Sequence, residues 1–149
     1  MTDGVEELTP EQCWALMRTT SVGRLAVWVE DHPDIFPVNF VVDQGSVVFR
    51  TGEGTKVAGA AGALVAFEAD GRDAGTDRAW SVVVRGRARS ITELHDVIAS
   101  SELPLHPWHE GPKDRFIRIT PDVVSGRRFV VADPSVWGAD AAHHSTTHD

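Results

Sequence analysis

Two hydrophobic periods run along the chain. The helical one is short. Thr9-Pro10-Glu11-Gln12 opens it, and Cys13, Trp14, Leu16 and Met17 form an apolar stripe to about residue 18. Thr9 as N-cap, Pro10 at the first position and Gln12 three residues after the cap predict a helix start closed by a capping box. Elsewhere the period is near two. Residues 22–29 alternate as a first strand, Asp31-His32-Pro33-Asp34 carries turn chemistry, and residues 35–42 make a second strand. That second strand is apolar on both faces except at Asn39. An antiparallel strand with one wet face alternates, so another element or another subunit is expected to cover its outer face. Pro37 cannot donate to a ladder and predicts an edge, a bulge or a strand end. Asp43-Gln44-Gly45 turns the chain into a third strand at Val47-Val48-Phe49-Arg50, which makes a hairpin.

The glycines of Thr51-Gly52-Glu53-Gly54 then hinge the chain into a short glycine- and alanine-rich helix starting at Lys56-Val57-Ala58, with Thr55 as N-cap. Residues 64–69 read as a fourth strand and 70–78 as a polar loop. Residues 80–89 form a fifth strand with Arg85, Arg87 and Arg89 on one face. Thr92 caps a helix whose apolar side is Leu94, Val97 and Ile98; Pro104 and Pro107 interrupt regular structure after it. Residues 115–120 make a sixth strand, and 123–130 a last one bent at Gly126. Many strands at short spacing with hairpin turns predict a mainly β antiparallel barrel of six to seven strands. A doubly wound sheet would need strand–helix alternation. One domain is expected over residues 1–149, with its core at about 9–130 and a polar tail from about 132.

Composition narrows the class. A chain of 149 residues is long enough for a real core. A net charge of −8 argues against general nucleic-acid binding, which needs a basic surface. No apolar run approaches the ~20 residues of a membrane span. The acidic start, Thr2-Asp3-Gly4-Val5-Glu6-Glu7, lacks a secretory pattern. The lone Cys13 excludes an internal disulfide framework. A cytoplasmic protein is therefore expected.

Candidate chemistry gathers at one place. In residues 47–56 a strand runs into a glycine-hinged turn and a helix start, and cations, hydroxyls and glycines converge: Arg50, Lys56, Thr51 and Thr55. A guanidinium, an ammonium and free helical N–H groups together favour an anion, read as a phosphate. The spacing is not that of a Walker A loop, and no Ser or Thr follows Lys56. His106 and His109 lack a third ligand at recognisable spacing, so no metal is expected. His143, His144 and His148 lie in the tail, and Cys13 reads as core. No side chain has a marked acid–base role, so the catalytic residues stay unknown.

The order of motifs carries a resemblance. Ser21-Val22-Gly23-Arg24-Leu25-Ala26, then Ile35-Phe36-Pro37-Val38-Asn39-Phe40, then Val48 through Lys56, then Trp80-Ser81-Val82-Val83-Val84-Arg85-Gly86 resembles the pyridoxamine 5′-phosphate oxidase-like flavoproteins. More narrowly it is similar to the small actinobacterial branch related to nitroimidazole reductases, as are Ile117-Arg118-Ile119-Thr120-Pro121 and Gly126-Arg127-Arg128. The resemblance implies a split β-barrel, a homodimer, and FMN (or, in some relatives, the deazaflavin coenzyme) in a cleft between subunits. It implies that Arg50, Thr51, Thr55 and Lys56 grip the cofactor's phosphate, that Pro37, Val38 and Asn39 line the ring, and that Trp80 and Ser81 approach it, often from the other subunit. Trp108 could stack on a flavin; an aromatic anchor for its loop is the preferred reading. The Arg-and-His substrate motif that the true oxidases carry near their C-terminus is not found. The expectation is a flavin-dependent oxidoreductase acting on an unknown small molecule. The alternative is a non-catalytic flavin, deazaflavin or haem binding or storage protein.

Overall fold

The computed structural model describes residues 4–52, 57–91 and 114–132. The chain runs β1 (Val5–Glu7), α1 (Pro10–Met17), β2 (Val22–Val29), β3 (His32–Asp43), β4 (Ser46–Gly52), a 3-10 turn (Ala58–Ala60), β5 (Leu64–Arg72), β6 (Arg78–Ser90) and β7 (Asp114–Val130). All strand pairs are antiparallel. The order is β1-β7-β4-β3-β2-β5-β6, and β6 pairs back onto β7. Six strands thus close into a ring, with β1 attached to β7: a split β-barrel.

Local chemistry sets each element. The capping box forms as expected: Gln12 N donates to Thr9 Oγ1 at 3.2 Å and Thr9 N to Gln12 Oε1 at 2.8 Å. The β3–β4 hairpin turns on Gln44 and Gly45, both at positive φ (52° and 70°). That is the two-residue turn whose twist matches the strands it joins. The β2–β3 turn is tighter than the sequence suggests. It uses Glu30-Asp31, and His32, Pro33 and Asp34 already pair with Val29, Trp28 and Val27. The fourth and fifth strand readings are also extended: β5 runs on to Arg72 and β6 starts back at Arg78, so the polar loop shrinks to its tip.

The expected sixth and last strands are one strand, β7. Pro121-Asp122 does not end it. Gly86 pairs with Pro121 and Arg85 with Val123, so Asp122 is an extra residue that the ladder absorbs as a bulge. A Cβ on Gly86 would lie 2.0 Å from the Thr120 carbonyl oxygen, so only glycine lets β7 cross there. Gly126 is not a bend; it pairs regularly with Val82. Its lack of a side chain admits α1 instead, since a Cβ would lie 2.7 Å from Cys13 Sγ. Burial raises the pKa of that thiol, which agrees with Cys13 as core.

The inward faces supply the core. Leu25, Phe40, Phe49, Phe67, Val84 and Ile117 are buried within the ring, with Cys13 and Met17 of α1 packed against them. Phe40 and Phe67 meet edge to face with centroids 4.8 Å apart. A second, smaller cluster joins Val48 and Phe116, with Val41 and Ile91 against it, on the outside of β4 and β7. Among the described residues no helix is long and apolar enough to cross a membrane.

Candidate functional site

The pairing of β3 with β4 sets which side chains leave the barrel. Phe40 opposes Phe49, and both are buried. Side chains alternate along a strand, so Asn39 and Arg50, one step from each, emerge on the outside. Pro37 emerges with them and is exposed, and Arg50 is half-buried. The Arg50 guanidinium sits over the Phe116 ring, its Cζ 4.6 Å from the centroid. That cation–π contact limits where the long side chain can go. Thr51 turns inward and is 8 % exposed. Thr55 and Lys56 lie outside the described residues. The described part of the expected helix behind them is the single 3-10 turn Ala58–Ala60, in a segment whose Gly59 and Gly62 disfavour an α-helix.

The expected ring-lining residues divide between the two faces. Val38 and Trp80 point into the core, at 8 % and 2 % exposure. Only their backbones can meet a ligand. Pro37, Asn39 and Ser81 are on the outside. Pro37 also occupies an edge of the kind its sequence suggests: β3 pairs with β2 over His32–Asn39 and with β4 only from Phe40. Ser81 lines a groove of about 920 Å³ with Val83, Ser125 and Arg127. Between β3 and β6 stand β2 and β5. Pro37 and Ser81 of one chain are therefore three strand spacings apart around the ring, each about 4.8 Å along the curved sheet.

On those two intervening strands lies a cluster that sequence reasoning missed. Arg24 of β2 reaches Glu68 (Nη1 to Oε1, 3.3 Å) and Asp70 (Nη2 to Oδ2, 3.4 Å) of β5. Glu68 is squeezed: burial, then the hydrogen bond its protonated carboxyl donates to Asp70, and that carboxylate's charge, push its pKa up to about 7, against the pull of Arg24. Its Oε1 is close enough to Arg24 for an ion pair but has no well-aligned hydrogen bond, so the contact only partly offsets desolvation. A cavity of about 350 Å³ opens beside the cluster, walled by Ala26, Ile35, Ala66 and Val83. The available signal was a charge inside an apolar strand, Glu68 between Phe67 and Ala69, but nothing in the sequence pairs it with Arg24. Trp108, His106, His109 and the tail histidines lie outside the described residues.

The outer face around this cavity is apolar and uncovered among the described residues. Trp28 is 68 %, Ile35 64 % and Leu64 64 % exposed. They stand on neighbouring strands, since Ala26 pairs with both Ile35 and Ala66.

Known proteins resemble this chain in sequence and in fold. An uncharacterised Mycobacterium tuberculosis protein is 36 % identical over 132 residues, 85 % of this chain and 86 % of its own. A Mycobacterium smegmatis structure described as an FAD binding protein is 38 % identical, covering 85 % of this chain and all (100 %) of that one, with a TM-score of 0.78. A conserved protein of unknown function from Corynebacterium diphtheriae is 36 % identical over 86 % of this chain and 100 % of its own, with a TM-score of 0.73. Residues 9–128 match the family described as pyridoxamine 5′-phosphate oxidase. Most of the length and nearly all of the ring of strands fall within that match, and the chain belongs to the pyridoxamine 5′-phosphate oxidase family.

Proposed function

We propose that this protein is a homodimeric flavin-binding oxidoreductase that holds FMN, with the phosphate at Arg50, Thr51, Thr55 and Lys56 and the ring along Pro37, Val38 and Asn39. The observation that carries the reading is Arg50, a half-buried guanidinium on the outer side of β4, one strand from the exposed Pro37 and the half-buried Asn39. A guanidinium and an ammonium, with the Thr55 hydroxyl, suit a phosphate as cations and donor; Thr51 turns inward, so only its backbone can join them. The 38 % identical relative described as FAD binding supports a flavin. FAD contains the same riboflavin phosphate, so the set serves either.

Two observations support the second copy. Pro37 and Ser81 stand on the outside of strands three steps apart around the six-strand ring, so two chains bring both to one flavin more readily than one chain does. The exposed Trp28, Ile35 and Leu64 form the apolar face such an interface needs. The flavin supplies the redox chemistry; the chain binds the phosphate, orients the ring and sets the surrounding charge.

Flavin extracted from the purified protein and weighed by mass spectrometry separates FMN from FAD and from the deazaflavin. Light scattering should give twice the chain mass. Arg50→Ala with Lys56→Ala should weaken FMN by about 1.5–3 kcal/mol per lost charge-assisted contact, and riboflavin should bind the wild type far more weakly than FMN. Unchanged FMN affinity in the double variant sinks the phosphate assignment. Turnover with NAD(P)H or reduced deazaflavin separates an oxidoreductase from a storage protein.

A further inference from the structure

The Arg24–Glu68–Asp70 cluster has a position as well as a charge problem. Arg24 is the cross-strand partner of Pro37, and Asp70 is the cross-strand partner of Ser81. The cluster is thus one strand from each of two residues expected at the ring, whichever copy supplies them. It opens onto a cavity of about 350 Å³ with apolar walls, a setting in which a carboxylate's charge is expensive. The surrounding elements offer little compensation. On β2 the facing cation is Arg24. On β3 the facing positions are Ile35 and Pro37, both uncharged. On β5, Arg72 lies beyond Asp70. On β6 they are Ser81, Val83 and, opposite Ala66, Arg85; on β7, Ser125 and Arg127, which pair with Val83 and Ser81. One guanidinium therefore faces two carboxyls at close range.

We propose that this cluster is a proton-linked wall of the flavin site, an inference that rests on the flavin reading above. With one proton on the carboxyl pair, held between Glu68 and Asp70, the cluster is neutral toward the ring. Without it, the wall carries an uncompensated negative charge. Glu68 holds the proton, because its carboxyl is the one that burial and its neighbour push up to about 7. Covering the cavity with a ligand desolvates Glu68 further, so the bound state takes up a proton and affinity falls as pH rises through neutrality.

FMN titrations followed by flavin fluorescence, from about pH 6 to about pH 8.5, test this in wild type, Glu68→Gln and Asp70→Asn. The phosphate's second ionisation near pH 6 is common to all three and cancels in the comparison. Relative to Glu68→Gln, wild-type affinity should fall about tenfold across the range, one pKa unit's worth of linkage. Asp70→Asn should move the midpoint to lower pH, since it removes the neighbouring charge. Calorimetry at about pH 7.5 in buffers of different ionisation enthalpy should show proton uptake on FMN binding in wild type and none in Glu68→Gln. Parallel pH profiles for wild type and Glu68→Gln, with FMN bound by both, overturn the proton-linked wall and leave the flavin reading standing. No FMN or FAD binding by wild type at any pH overturns both.

Discussion

Two of the arginine–carboxylate clusters on this barrel are built to opposite standards. Arg118 of β7 spans the β3–β4 hairpin. It donates to Asp43 Oδ2 at 3.1 Å, to Ser46 Oγ at 2.6 Å and to the Asp43 carbonyl at 3.3 Å. Ser46 Oγ in turn donates to that carbonyl at 2.6 Å. One cation meets one carboxylate, with only 16 % and 22 % of the two side chains exposed. Arg24 instead divides itself between Glu68 and Asp70, at 3.3 and 3.4 Å, with 45 %, 33 % and 43 % exposed. The first cluster satisfies its polar groups and pins a hairpin to the strand that crosses it. The second leaves a carboxyl short of partners beside a cavity. Well-paired buried charge is the mark of structure; a strained carboxyl in a cleft is a functional-site signal.

Breaking the first cluster should have the largest effect. Arg118→Ala leaves Asp43 partly buried with its charge unmatched and strips a donor from Ser46 and from a backbone carbonyl. Denaturant unfolding should show a loss of about 2–4 kcal/mol. A loss below about 0.5 kcal/mol would mean that water replaces the guanidinium and that the two clusters do not differ as described.

The contrast also explains what the sequence could disclose. The capping box at Thr9-Gln12 and the Gln44-Gly45 turn are written in adjacent residues, so they were legible. Strand parity alone likewise sets Arg50 on the face opposite Phe49 and Thr51. The continuity of β7 was not legible. Pro121-Asp122 reads as a break, and only the partner strand, through Gly86, turns it into a bulge. The strand β1 was missed because Val5, Glu6 and Glu7 are all exposed and carry no alternation. The Arg24–Glu68–Asp70 cluster was missed for a stronger reason: Arg24 and Asp70 are 46 residues apart, and the β2–β5 register that joins them is set by how the barrel closes.

A smaller effect, of opposite sign, is expected at the second cluster. The folded state raises the Glu68 pKa from 4.5 to about 7. Its contribution is therefore fully present below the unfolded value and is lost as pH climbs through about 7. Glu68→Gln should match wild type near pH 4 and exceed it at pH 8. The undiscounted shift corresponds to roughly 3 kcal/mol. A carboxyl one-third exposed keeps much of its hydration, so the expected gain at pH 8 is about 1 kcal/mol. Thermal melts at the two pH values measure it, and a variant less stable than wild type at pH 8 would contradict the strain.

The smallest effect should come from Arg24 itself. Its side chain is 45 % exposed and its contacts are long, so Arg24→Gln should cost no more than about 0.5–1 kcal/mol. The informative readout is where that cost falls along the pH axis. Arg24 is the one influence that lowers the Glu68 pKa, so removing it should push the Glu68 midpoint higher still. The cost should then be larger at pH 8, where both carboxylates are charged, than at pH 5, where they share a proton. Carbon-13 NMR of the Glu68 carboxyl across the titration reads the midpoint directly. A midpoint that moves down in Arg24→Gln would show that the guanidinium does not hold the ionised pair, and the cluster would then differ from the Arg118 staple even more than its longer contacts suggest.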